Sequence, residues 1–261
     1  MNSGAPGEGH VEVWVRHTES LEGSEMAATD VLLSADERER RDRLRSFEDR
    51  RDYAAAHVLL RQALSRVGPA APAEWRFVRR TGGKPALDAA QAGSSALEFS
   101  LSHTRGLVAC VVAHGVAVGV DVERARPLTD ARQIAVSHFA PEEVHLLDRC
   151  TASEMETRFL ELWTLKEAYA KAIGLGLQVP LDSCVFAFER DDELKFAAPA
   201  GDEARWQFWL AAVEPDARLA VAVGRAASGR PATVSFHDAD HDADPRSGLI
   251  SILRTTRTRA L

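Results

Sequence analysis

Polar and apolar residues alternate from His10 to Arg16, which puts Val11, Val13 and Val15 on one side of a strand. Ser34 to Glu37 reads as a capping box that opens a highly charged helix. Ser46 and Asp49 start a second helix, whose apolar positions run through Tyr53, His57, Leu60 and Leu64 until Gly68-Pro69 stops it. Trp75 to Val78 reads as a short strand, and Thr81 to Pro85 as a turn-forming loop. Phe99 to Leu101 leads into Ser102-His103-Thr104, and two strands follow, Leu107 to Ala113 and Val116 to Glu123. Pro127 to His145 holds a loop and one or two helices, with Pro141 suited to a first helical turn. A long helix spans Glu154 to Ile173 and ends at Gly174-Leu175-Gly176. Trp206 to Val213 and Leu219 to Gly224 alternate like an antiparallel pair.

The order is strand, helices, strands, and then the same again, so the pattern predicts an α+β protein. The expected division is a disordered N-terminus at residues 1–10, an N-terminal α+β subdomain at 11–114 and a C-terminal one at 115–225. Residues 226–261 lose periodicity and read as a polar tail that folding and turnover do not need.

Composition narrows the function classes. The net charge of −7 disfavours a nucleic-acid partner. Leu107 to Ala113, the longest strongly apolar run, is far too short to span a bilayer. Cys110, Cys150 and Cys184 are odd in number and widely spaced, which offers neither a disulfide framework nor a zinc site. The N-terminus is unlike a secretory signal, and a reduced cytoplasm is the expected location.

Four segments carry chemistry. Val118 to Glu123 alternates, so Asp121 and Glu123 share the face opposite Val118, Val120 and Val122, about 7 Å apart along the strand. Two such carboxylates repel unless a cation lies between them, and hard oxygen donors favour Mg²⁺. The segment alone also fits a solvated strand end. Gly119, on the acidic face, points to a ligand approaching the backbone. Glu167 and Lys171 lie one helical turn apart, flanked by Leu160 and Trp163, which fits either a covered site or an ordinary i,i+4 ion pair. Ser102-His103-Thr104 offers anion donors, though a lone histidine is more often a structural one. Arg79 to Lys84 concentrates three cations around two glycines without Walker spacing, the makings of a phosphate cradle.

In their order and intervals these segments resemble the Sfp-type 4'-phosphopantetheinyl transferases. The likeness rests on Gly83-Lys84-Pro85, Leu101-Ser102-His103, Val118-Gly119-Val120-Asp121-Val122-Glu123 and Trp163-Thr164-Leu165-Lys166-Glu167-Ala168-Tyr169-Ala170-Lys171, within Ser34 to Gly224. Ser100 stands where the family usually has asparagine.

The resemblance implies two similar α/β subdomains related by pseudo-twofold symmetry, with coenzyme A between them. It implies transfer of 4'-phosphopantetheine from coenzyme A to a serine of an apo acyl or peptidyl carrier protein, with release of 3',5'-ADP. Asp121, Glu123 and Glu167 would hold Mg²⁺ (or Mn²⁺). Glu167 would also be the general base, and Lys171 would contact a pyrophosphate oxygen. His103, Arg80 and Lys84, helped by Ser102 and Arg51, would hold the 3'-phosphate and adenosine end. Phe139 to Leu147 would receive the carrier, and one chain would suffice as a monomer. The alternatives are a non-catalytic coenzyme A- or Mg²⁺-binding regulator and another coenzyme A-dependent transferase.

Overall fold

The computed structural model describes residues 8–21, 23–79, 83–91, 96–126, 130–189, 192–198, 201, 203–240 and 249–256. Two serine caps start the first helices where the sequence places them. Ser34 Oγ accepts the Glu37 N–H at 3.2 Å and Glu37 Oε2 accepts the Ser34 N–H at 2.7 Å, opening α2 (Ala35–Asp42). Ser46 Oγ accepts the Asp49 N–H at 2.9 Å, opening α3 (Phe47–Val67). A helix that the pattern did not announce, α1 (Gly23–Leu32), precedes them.

Each half then builds the same three-stranded unit. In the first, β1 (His10–His17) pairs antiparallel with β5 (Leu107–His114), which pairs with β4 (Leu97–Thr104). In the second, β6 (Val118–Arg124) pairs antiparallel with β10 (Ala217–Gly224), which pairs with β9 (Trp206–Val213). Between strand and hairpin, the first half inserts α1, α2 and α3 and the second inserts α4 (Ala131–His138), α5 (Pro141–Asp148) and α6 (Ala152–Ile173). The two sheets face each other across one core, Val11, Val13, Val15 and Val111 meeting Val118, Val120, Val122 and Val221. Leu59, Leu60 and Leu64 of α3 cover the outer face of the first sheet, over Phe99, Cys110 and Val112. Leu162, Leu165 and Tyr169 of α6 cover the second, over Phe208, Leu210 and Ala222. The result is an α+β fold of two similar halves in helix–sheet–sheet–helix layers.

Four short strands fall outside the paired sheets' pattern. Trp75 is buried and precedes β2 (Phe77–Arg79), so that strand starts two residues later than the apolar spacing suggests and pairs with β3 (Pro85–Leu87). The four-residue strands β7 (Val185–Phe188) and β8 (Leu194–Ala197), which pair with each other, were not legible as a pattern.

The C-terminal residues correct the sequence expectation. Within the supposed tail, β11 (Thr233–Asp238) joins the first sheet parallel to β1, and β12 (Ile250–Thr255) joins the second beside β9. Neither strand contains a fully buried residue. Their apolar residues Val234, Phe236 and Ile250 are only partly buried against the sheet–sheet core, so the backbone ladders supply much of the hold and the hydrophobic mark is weak. Ending the chain at Arg230 would strip an edge from each sheet. The expected outcome is a drop in melting temperature on the order of 10 °C, checked by calorimetry; an unchanged transition would show that both strands are dispensable.

What positions the future site is the seam between β6 and α6. A Cβ placed on Gly119 would lie 2.0 Å from the Ala168 carbonyl oxygen and 2.5 Å from the Ala172 nitrogen. The close approach that this glycine signals is therefore the helix and not a ligand. The far side of α6 is fixed by Lys166, wholly buried, whose Nζ lies 2.7 Å from Glu143 Oε2 and donates to the carbonyls of Leu181 (2.7 Å) and Cys184. Glu143 in turn accepts the Phe186 N–H at 2.8 Å and the Ala140 N–H at 2.9 Å, tying α5 and β7 to the same helix. Gly174, at φ 77°, ends α6 in a left-handed turn.

Candidate active site

Alternation on β6 buries Val118, Val120 and Val122 between the sheets, so Gly119, Asp121 and Glu123 face α6. With Gly119 pressed on the helix backbone, the acidic strand sits one side chain's length from Glu167 and Lys171. Lys171 Nζ donates to Asp121 Oδ1 at 2.6 Å and to Ser102 Oγ at 2.9 Å. The ordinary i,i+4 ion pair with Glu167, one of the two readings the spacing allowed, is not found among the described residues; Lys171 crosses to the neighbouring strand instead. Ser102 Oγ donates to Asp121 Oδ1 at 2.8 Å, so three elements meet at one carboxylate oxygen.

Two other oxygens of this cluster are left open. Asp121 Oδ2 and Glu167 Oε1 are buried and have no hydrogen-bond partner among the described residues. Such groups are costly unless something satisfies them. Burial, and then the Asp121 charge, pushes the Glu123 carboxyl up to about 7. Burial and Asp121 likewise raise Glu167, against the pull of Lys171. The sign of the linkage follows: Glu123 keeps its proton in the folded protein from the ordinary 4.5 up to about 7, a range in which the unfolded chain has lost it. Its burial therefore costs stability increasingly as pH rises through that window. Among the described residues no three acidic, His or Cys side chains form a ready-made metal cage. The donor set nonetheless fits a hard divalent cation: all-oxygen ligands, crowded negative charge and two unsatisfied buried oxygens.

Beside this cluster a cleft of about 590 Å³ opens against α3, with Arg40, Tyr53, His57, Arg76, Arg79 and His103 among its walls. His103 is open to the cleft, yet the atoms around it desolvate the ring. That holds its imidazole below the ordinary range, with Lys171 and His57 adding and Asp52 opposing. His57 Nδ1 lies 2.9 Å from Glu37 Oε1, and Arg61 donates to Glu37 Oε2 at 2.7 Å. Burial would raise Glu37, but hydrogen bonds from His57 and the Ser34 N–H, with the charges of His57 and Arg61, hold it at about 2. A smaller pocket of about 180 Å³ continues from the cleft, sharing Pro85, Phe99 and Leu101, and is bounded by Lys84, Lys171 and Gly174.

The structure thus gathers Asp121, Glu123, Glu167, Lys171 and Ser102, and sets His103 in the adjoining cleft. Lys84 lies apart from His103, on the small pocket, where its Nζ donates to the Val118 carbonyl at 3.0 Å. Arg51 does not line the cleft: it is buried, with Nε donating to Asp52 Oδ1 at 3.1 Å. Arg80 lies outside the described residues. Sequence reasoning overlooked Arg40 and Arg76 and counted His57 only as a position on the helix's apolar face. The only available signal was arginine density, which the acidic residues of α2 disguised.

Comparison with known proteins agrees with this geometry. Residues 117–223 match the 4'-phosphopantetheinyl transferase superfamily, and residues 22–115 match the N-terminal domain of 4'-phosphopantetheinyl transferases. The transferase HetI of Nostoc sp. is 36% identical over 153 residues, which span 59% of this chain and 63% of HetI. The Bacillus subtilis transferase ffp is 30% identical over 175 residues, 66% of this chain and 75% of that one. The transferase Sfp of Bacillus subtilis strain 168 is 29% identical over 169 residues, 64% of this chain and 72% of Sfp. The chain belongs to the 4'-phosphopantetheinyl transferase family.

Proposed function

We propose that this enzyme moves 4'-phosphopantetheine from coenzyme A to a serine hydroxyl of an apo acyl or peptidyl carrier protein, releasing 3',5'-ADP. The observation that carries the reading is the cluster of Asp121, Glu123, Glu167 and Lys171, with two unsatisfied carboxylate oxygens, beside a basic cleft. Asp121, Glu123 and Glu167 would hold Mg²⁺ (or Mn²⁺), which supplies charge neutralisation at the pyrophosphate. Glu167, raised by burial, takes the proton of the attacking serine. The serine oxygen bonds to the phosphorus that bears pantetheine, and the bond from that phosphorus to the bridging oxygen breaks. The electron pair leaves with 3',5'-ADP, and Lys171 places a positive point charge beside it. Arg40, Arg76, Arg79 and His103 receive the phosphorylated adenosine end in the cleft. Phe139, Glu143 and Leu147 are buried, so a carrier docking there would meet the exposed Val136, Glu142 and His145. All these groups come from one chain, which we read as a monomer. We take its place of work to be the cytoplasm; none of the helices among the described residues is long and apolar enough to cross a membrane.

The test is intact-mass spectrometry of apo carriers from fatty-acid, polyketide and nonribosomal peptide systems, incubated with coenzyme A and Mg²⁺. A phosphopantetheine adduct with matching release of 3',5'-ADP is expected, abolished by EDTA and restored by Mg²⁺ or Mn²⁺. Undiminished transfer by the chelated enzyme would remove the cation, and no adduct on any carrier would favour a binding module.

His103→Ala is expected to weaken coenzyme A about ten- to a hundredfold, the worth of one charge-assisted hydrogen bond, and 3'-dephospho-coenzyme A far less. Titration calorimetry with both compounds checks this. Equal losses would make His103 a support of the cleft and not a ligand.

A further inference from the structure

Ser100 and Ser102 lie two apart on β4 and face β6. Their hydroxyls accept the backbone N–H groups of Val120 at 3.2 Å and Val122 at 3.3 Å, which are also two apart. Because β6 uses its other edge to pair with β10, these N–H groups belong to the free edge of the second sheet. A free edge needs partners for its donors. The two serines supply them, as side-chain rungs that join the outer strands of the two halves.

Ser102 does more than Ser100. Its hydroxyl donates to Asp121 Oδ1 at 2.8 Å and accepts from Lys171 Nζ at 2.9 Å, in addition to the Val122 N–H. A hydroxyl has one proton and two lone pairs, and here all three are in use. The side chain is also buried. Nothing remains with which it could bind a phosphate.

We infer that Ser102 is a positioning residue for the acidic cluster and not a ligand of the 3'-phosphate. It holds the Asp121 carboxylate by one oxygen and Lys171 by its ammonium, in register with β6, which leaves Asp121 Oδ2 unencumbered for a cation. The assignment rests on the transferase reading given under Proposed function, and it names how that site is kept in shape.

Ser102→Ala and Ser100→Ala separate the two kinds of rung, because only the first touches Asp121. Mn²⁺ binding without carrier, followed by electron paramagnetic resonance, is expected to weaken about tenfold in Ser102→Ala and less than about twofold in Ser100→Ala, tenfold being the scale of one charged hydrogen bond. Turnover should fall roughly ten- to a hundredfold in Ser102→Ala only. Both variants should melt lower by similar amounts. Calorimetry should show that Ser102→Ala changes the affinities for coenzyme A and 3'-dephospho-coenzyme A by the same factor. A loss confined to coenzyme A would restore Ser102 as a phosphate ligand and overturn the assignment. Equal Mn²⁺ affinity and turnover in the two variants would overturn it too, reducing Ser102 to a rung. If Ser102→Ala does not fold, Ser102→Cys keeps the volume with a weak acceptor, and the same comparisons apply. Should the wild type bind Mn²⁺ yet modify no carrier, the transferase reading fails, and the Mn²⁺ comparison still decides the role of Ser102.

Discussion

Replacing Glu167 by glutamine should lower turnover by more than the roughly 10²–10⁴-fold that loss of a general base typically costs. Glutamine keeps the size and one oxygen but removes both the charge and the base. Raising Mg²⁺ should recover only the share due to cation affinity, and raising pH should not recover the rest. If Glu167 is a ligand alone, saturating Mg²⁺ restores most of the rate. Asp121→Asn is the control, expected to raise the Mg²⁺ requirement whichever role Glu167 has. Near-normal turnover of Glu167→Gln at limiting Mg²⁺ would take this residue out of the mechanism.

The second large effect lies in a residue with no side chain. Adding one methyl group at Gly119 meets the Ala168 carbonyl oxygen at 2.0 Å, and backbone cannot swing aside as a side chain can. Overpacking of this sort costs about 1–3 kcal/mol of stability. The strand and helix would have to separate, shifting Asp121 and Glu123 against Glu167 and Lys171. A displacement of about 1 Å is worth on the order of 10²-fold in rate. Gly119→Ala is therefore expected to yield a folded protein, less stable to denaturant, with turnover reduced about a hundredfold. Steady-state kinetics beside a urea titration checks it, and turnover within about threefold of wild type would show that the seam has slack.

These two residues mark where sequence reasoning succeeds and where it stops. The acidic pair is legible because a strand repeats every two residues, so Asp121 and Glu123 declare their shared face. Gly119 declares a close approach but cannot say by what; α6 lies some fifty positions further along the chain. The same blindness affected Lys171. Helical spacing offers Glu167 as its partner, whereas the fold gives it Asp121 and Ser102, neither of them on its helix. The resemblance implied Arg51 as a cofactor ligand, but burial hands it to Asp52. The fold class and the repeated order of strand, helices and strands came through because those elements bury a full face. The last two strands bury only part of one.

Those last strands also constrain how the protein can be made. The first sheet is completed by pairing residue 10 with residue 233, and the second by residues 250 to 255. A chain that emerges from the ribosome N-terminus first must hold its opening half with one edge bare until residues 233–238 have been synthesised. Pairings of such long sequence separation close slowly, and an unpaired edge is exposed to other chains meanwhile. The first half cannot be expressed alone as a finished unit, since it waits for a strand that follows the second half's hairpin. Heterologous yield should thus depend more on temperature and chaperone supply during translation than on the stability of the completed molecule.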